Sequence, residues 1–269
     1  MRHHASNTPI GRFRIETLEE GVDRCAATMP IEGLLNPATG EPSLGPLAVL
    51  TDHIAGLLNH HRRHDHEWTV SSELSLELAP DAAAAVAAAG DETVLGISRP
   101  MSGKHATAVG ECELLLAGRL IGSGTVRSFY IDHPGEFAEA PAREGDMEEK
   151  FGLSDMMAID SPRVEGDSVI LGQRADRVLN NNIDVVHGGI ASAGLEIAAS
   201  AAVNAGRSEG PLITASLRVN FLRQFLAGGE SRYVGTPLRV GRRSGVADAQ
   251  AIGADGKVAI IARLTAYRS

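Results

Sequence analysis

Cysteine is scarce in this 269-residue chain: Cys25 and Cys112 are the only two. They cannot knit a disulfide framework in a chain this size and lack the C-x-x-C spacing of a zinc or redox motif, so a reducing, cytoplasmic setting is expected. An excess of positive charge is missing too, with 25 Lys and Arg against 34 Asp and Glu and a formal net charge of -9. Without a positive field, neither nucleic acid nor an anionic membrane is expected as the main partner, and any anion must be caught by a local basic patch. No apolar run approaches the length of a bilayer span, and MRHHASNTPIGRFRIE has no apolar stretch behind its basic residues, so neither a membrane segment nor a secretory leader is expected. What remains is 43% hydrophobic and 22% charged, the balance of a chain that folds around a core.

That chain is written twice. Residues 44 to 59 (LGPLAVLTDHIAGLLN) and 188 to 205 (GGIASAGLEIAASAAVNA) read as long apolar helices, each holding one acid near its middle, Asp52 and Glu196. Each is followed by a stretch of period two: Leu74, Leu76 and Leu78 in TVSSELSLELAP, and Leu217, Val219 and Phe221 in ITASLRVNFL, both expected to be half-buried strands. Further on, SGKHATAVGECELLLAGRLIGSGTVRSFY aligns with VGRRSGVADAQAIGADGKVAIIARLTAYR, Gly103 falling on Gly241 and Gly118 on Gly256. The insert PDAAAAVAAAGDE, residues 80 to 92, has helix-start and helix-stop residues at its two ends and is expected to form a short surface helix. Each unit reads as strand, central helix and about four strands, with ADGK at 254 to 257 a tight turn, so an antiparallel sheet must wrap each apolar helix in an α+β layout. The charged, proline-containing segment from 134 to 150 separates the units; residues 1–138 and 151–269 are expected to be the two repeats, with 139–150 as linker.

In the second unit Asn181 precedes His187-Gly188-Gly189 by five intervening residues, six more lead to the acid Glu196, and the next strand carries Thr214 and LRVNFLR. In this the chain resembles the hotdog-fold acyl-CoA thioesterases, the branch typified by 4-hydroxybenzoyl-CoA and phenylacetyl-CoA thioesterases. The resemblance covers nearly all of the second half and, more weakly, the first, where Ser43-Leu44-Gly45 stands in place of His-Gly-Gly while Asp52 keeps the acid position and Ser71 falls opposite Thr214. It implies a tandem double hotdog. In homodimeric relatives the site lies across the subunit interface, so the resemblance pairs Asn181, His187 and Gly188 with Asp52 and Ser71, and leaves a reciprocal, degraded site of Glu196 and Thr214 facing Asn36 and Leu44.

The chemistry suits such parts. The first N–H groups of a helix lack intrahelical partners and sit at the positive end of its dipole, so a thioester carbonyl placed there is polarised, while a carboxylate aligns water or attacks the carbonyl itself. His187 is as open to a packing or capping role as to a catalytic one. The expected substrate is an acyl-CoA or acyl-carrier thioester, with no metal and no dissociable cofactor, coenzyme A being part of the substrate. Its phosphates could meet Arg242 and Arg243 or their counterparts Lys104 and His105. HHRRHDHEW, residues 60 to 68, fits no zinc signature. Two other readings stay open: a non-catalytic acyl-CoA-binding protein, and a 3-hydroxyacyl-thioester dehydratase or hydratase. A homodimer of double-hotdog chains is open as well.

Overall fold

A computed structural model of the chain describes residues 2–132 and 150–268. In chain order it contains β1 (Arg2–His3), α1 (Pro9–Arg12), β2 (Glu16–Glu19), β3 (Cys25–Pro30), α2 (Pro46–His61), β4 (Glu67–Leu78), α3 (Ala82–Ala87), β5 (Thr93–Pro100), β6 (Thr107–Leu116) and β7 (Arg119–Asp132). The second half supplies α4 (Leu153–Met156), β8 (Arg163–Glu165), β9 (Ser168–Gly172), a 3-10 turn at Arg177–Leu179, α5 (Gly188–Asn204), β10 (Ile213–Phe221), β11 (Arg232–Val240), β12 (Ser244–Ile252) and β13 (Val258–Tyr267). The segment expected to link the repeats, 139–150, lies outside the described residues except for Lys150.

Among the described residues, all strands join one antiparallel sheet of 13 strands in the order β1-β2-β3-β5-β6-β7-β4-β10-β13-β12-β11-β9-β8. The halves meet where β4 pairs with β10, with Leu76 opposite Leu217, Ser75 opposite Arg218 and Leu74 opposite Val219. Because Leu74, Leu76, Leu217 and Val219 are all buried, this seam is part of the core. Each such side chain taken from water contributes about 1.5 to 3 kcal/mol. Side-by-side joining therefore stabilises both halves at once.

The sheet wraps the two long helices. α5 is apolar on every side, and a helix of that kind is stable only when buried all round; from Gly189 to Val203 every residue is buried. α2 begins with Pro46, whose fixed φ and missing N–H suit the first helical position, so the helix starts two residues later than the apolar run suggests. It ends where Arg63 Nη1 donates to the His60 carbonyl at 2.9 Å, satisfying one of the last-turn acceptors. The alanine-rich insert forms α3, which is less superficial than expected: Ala82, Ala83 and Val86 are buried. The duplication reaches down to backbone detail, since Gly118 and Gly256 turn their hairpins at φ 76° and 75°, a left-handed conformation that glycine adopts without steric cost. Among the described residues, no helix is long and apolar enough to cross a membrane.

Candidate active site

α2 and α5 cross along their N-terminal halves. A Cβ on Gly189 would lie 2.7 Å from Val49 Cα, and one on Gly45 would lie 3.3 Å from Ala193 Cα. The order of these contacts makes the helices antiparallel, so each helix start faces the middle of the other helix and the acid it carries. His187 and Ser43, Gly189 and Gly45, and Glu196 and Asp52 are related pairs, each 144 residues apart. Two pseudo-equivalent sites result.

At the first, Asp52 of α2 meets the start of α5. Asp52 Oδ2 accepts the Gly189 N–H at 2.6 Å, and Ser71 on β4 donates its hydroxyl to Oδ1 at 3.2 Å. His187 is the N-cap, its Nδ1 accepting the same Gly189 N–H at 3.2 Å and lying 3.5 Å from Asp52 Oδ2. An imidazole nitrogen that accepts a hydrogen bond carries no proton, which assigns the neutral Nε2–H tautomer. Burial lowers the His187 pKa, an effect partly offset by the Asp52 charge, and that agrees with a neutral ring. Gly188 has no side chain to cover the carboxylate: a Cβ there would come within 3.0 Å of Asp52 Oδ2 and 3.3 Å of Phe221 Cε1. Among the described residues none accepts the Gly188 N–H. His187, Gly188 and Ser71 retain partial exposure.

At the second, Glu196 of α5 meets the start of α2. Thr214 on β10 donates to Oε1 at 2.5 Å, Ser43 donates to Oε2 at 3.1 Å, and the Gly45 N–H adds a backbone hydrogen bond. Burial raises the Glu196 pKa against the opposing pull of those three donors. Here every part is covered: Glu196, Ser43, Thr214, Asn36 and Leu44 are all buried. Leu44, itself buried, stands where the first site has Gly188, so a leucine side chain replaces a glycine at that helix start.

The asparagines behave as a pair too, each using its side-chain oxygen on the loop that follows it. Asn181 Oδ1 accepts from Ile183 N at 3.0 Å and Val185 N at 3.3 Å, and Asn36 Oδ1 accepts from Ala38 N at 2.9 Å. These Asx turns shape the loops that deliver His187 and Ser43. Asn36 also donates Nδ2 to the Ile197 carbonyl of α5 at 3.2 Å, plugging the second site further.

The four residues expected to meet phosphate fall at two different ends. Arg207 donates to the Gly241 and Arg242 carbonyls at 2.8 and 3.2 Å, which ties the turn carrying Arg242 and Arg243 to the C-terminal end of α5. A helix of 17 residues is about 25 Å long, so this turn lies far from Gly188. Arg62 donates to the Ser102 carbonyl at 2.8 Å and ties the turn carrying Lys104 and His105 to the C-terminal end of α2, on the Asp52 side. Lys104 is already engaged, 2.7 Å from Glu67 Oε2 and 4.3 Å from the Tyr130 ring centre, whereas His105 is exposed. In the histidine-rich segment, His60 bonds Thr69 Oγ1 at 2.8 Å and burial pushes its pKa down to about 4, so this histidine adds no positive charge to the helix end. A shallow groove of ≈ 620 Å³ runs between Pro37–Glu41 and the Ala201–Pro211 end of α5, on the side of the closed site.

The fold and this pair of helix starts define a double hotdog. Residues 184–260 match the sequence profile described as the Thioesterase superfamily. Among solved structures, the chain is similar to a TesB protein of Mycobacterium avium subsp. paratuberculosis (TM-score 0.62, 11% identity, 98% of this chain and 99% of that one). It is similar also to the acyl-CoA thioesterase II TesB2 of Mycobacterium marinum (0.61, 13%, 96% of each chain) and to a conserved hotdog protein of unknown function from Alicyclobacillus acidocaldarius (0.63, 13%, 100% and 99%). No curated protein matches the chain significantly in sequence. The chain is a tandem double hotdog.

Proposed function

We infer that the chain is an acyl-CoA thioesterase working at the Asp52 site, with coenzyme A entering only as part of the substrate. The observation that carries the reading is the Asp52 carboxylate of one repeat bonded to the Gly189 N–H at the other repeat's helix start, beside a Gly188 N–H that no described residue uses. The thioester carbonyl oxygen takes that Gly188 donor, with the Asn181 amide as a second candidate, and the helix dipole favours the charge that grows on it. Each such donor contributes about 3 to 4 kcal/mol to the transition state.

Asp52 is held in place by Ser71 and Gly189, leaving lone pairs to align a water or to attack the carbonyl carbon. In the water route the carboxylate takes the proton as the C–O bond forms. Collapse of the tetrahedral adduct then breaks the C–S bond, and the departing thiolate recovers the proton. His187 acts here by capping α5 and shaping the site, since its Nδ1 faces an N–H rather than a substrate.

The decisive assay is thiol release from a panel of acyl-CoAs by the full chain and by Asp52→Asn. Release by the wild type and its loss in the variant support hydrolysis at this site. Tight acyl-CoA binding without release would instead favour the non-catalytic reading.

A further inference from the structure

Arg12, at the end of α1, is buried, a rare place for a guanidinium. Its Nη1 donates to Asp176 Oδ2 at 3.1 Å and lies 3.4 Å from the Met156 carbonyl, both in the other repeat. Among the described residues, Nε and Nη2 have no partner at all. Packing alone would not select an under-satisfied buried charge, because an apolar side chain of similar size fits such a place as well or better. The other half makes the contrast. α4 is the counterpart of α1, 144 residues on, and Met156 stands where Arg12 stands; the counterpart of Asp176 is Glu32, which is exposed. The charged contact therefore exists only on the side whose helix start is open.

From Arg12 a short chain of bonds leads to that helix start. Asp176 caps the 3-10 turn, its Oδ1 accepting from Val178 N at 3.0 Å. The Leu179 carbonyl that closes the turn accepts from His187 N at 2.9 Å, and His187 Nδ1 accepts from Gly189 N, the amide that Asp52 shares. Asp52 and Arg12 belong to one repeat, His187 and Asp176 to the other. Holding Asp176 against Arg12 thus sets the spacing between carboxylate and helix start. Lys150 Nζ stands 4.0 Å from Asp176 Oδ2, but its side chain is 29% exposed against 3% for Arg12.

We propose that Arg12 is a positioning residue for the Asp52 site, clamping Asp176 so that the 176–187 loop presents His187 and Gly188 to the carboxylate in register. The role in turnover rests on the thioesterase reading; the clamp itself does not, and the test separates them. Full-length wild type, Arg12→Met (copying Met156), Arg12→Lys and Asp176→Asn are compared in two ways: kcat and KM on an acyl-CoA, and the side-chain 15N signals of His187 at neutral pH. Arg12→Met is expected to lower kcat on the order of 10- to 100-fold with KM changed by less than about threefold, as loss of alignment rather than of binding requires. His187 Nδ1 should lose its acceptor-type signal in the same variant, and Arg12→Lys should restore most of both. If Arg12→Met does not fold, Asp176→Asn decides, since the amide oxygen can keep the cap on Val178. A wild type that releases no thiol removes the thioesterase reading but leaves the 15N comparison in force. Unchanged His187 signals in Arg12→Met or, should that not fold, in Asp176→Asn overturn the clamp; unchanged kcat in an active enzyme overturns its role in turnover.

Discussion

Two helix starts face two acids in this molecule, and only one of them is open. Asp52 sits against His187-Gly188-Gly189 with His187, Gly188 and Ser71 partly exposed, while Glu196 sits against Ser43-Leu44-Gly45 with every neighbour buried. The difference teaches which residues serve the fold and which serve chemistry. Gly189 and Gly45 are both kept because a Cβ at either would drive into the facing helix. Gly188 faces the Asp52 carboxylate and the Phe221 ring rather than the backbone of α2, and its counterpart has become a buried leucine. Both acids have kept a hydroxyl donor from the following strand, so a hydroxyl partner alone does not mark an active site.

The largest effect should come from exchanging the acids for amides. Asp52→Asn is expected to cut kcat for thiol release on the order of 10²- to 10⁴-fold, the range for losing a general base, with a melting temperature near wild type. Glu196→Gln should leave kcat within about threefold, as expected for a site remote from the reacting atoms. Steady-state assays on the two variants measure the asymmetry directly. Gly188→Leu copies the closed site onto the open one and is expected to lower kcat/KM about 100-fold or more by crowding Asp52 and excluding the carbonyl, the loss attached to one oxyanion donor or more.

The sites should also differ in how pH acts on stability. Glu196 has its folded pKa raised above the ordinary 4.5, so in that window the folded state binds more protons than the unfolded one. Stability therefore falls as pH rises through 4.5 to the folded pKa, and Glu196→Gln should flatten that slope in urea titrations across pH. His187 has its folded pKa lowered below 6.5, so its contribution is present above 6.5 and fades as pH falls toward the folded value. The same protonation breaks the Nδ1 cap on Gly189, and thiol release should decline on that acidic limb. Among changes at the open site, Ser71→Ala should have the smallest effect on turnover, about a fivefold loss of kcat, equivalent to one hydrogen bond of about 1 kcal/mol.

Much of the arrangement was legible because duplication repeats its signals. The acids stand 144 residues apart, and two period-two stretches follow two apolar helices, so the double layout can be read from spacing, whereas the pairing of Asp52 with the start of α5 comes from the resemblance to hotdog thioesterases. Helix starts were legible to within two residues, with Pro46 shifting the first. Asn181 shows the limit: spacing locates it before His187 but cannot show that its oxygen is spent on Ile183 and Val185. The contact of Gly189, rather than Gly188, with Asp52 depends on where the helices cross, which no local pattern encodes. Arg12 was invisible in GRFRIE, because its partner lies 164 residues away and a buried arginine looks in sequence like any exposed one. Arg242 and Arg243 rest mainly on the resemblance, and their match to Lys104 and His105 in the repeat alignment does not say which end of a helix a turn approaches.

The most direct measurement is a crystal structure of the full chain with a non-hydrolysable acyl-CoA thioether ketone. Its carbonyl oxygen should lie within hydrogen-bond distance of the Gly188 N–H, with the carbonyl carbon beside Asp52 and the Glu196 site empty. A carbonyl seated at Glu196, or an acyl chain that leaves the start of α5 untouched, would contradict the assignment of the open site to the chemistry.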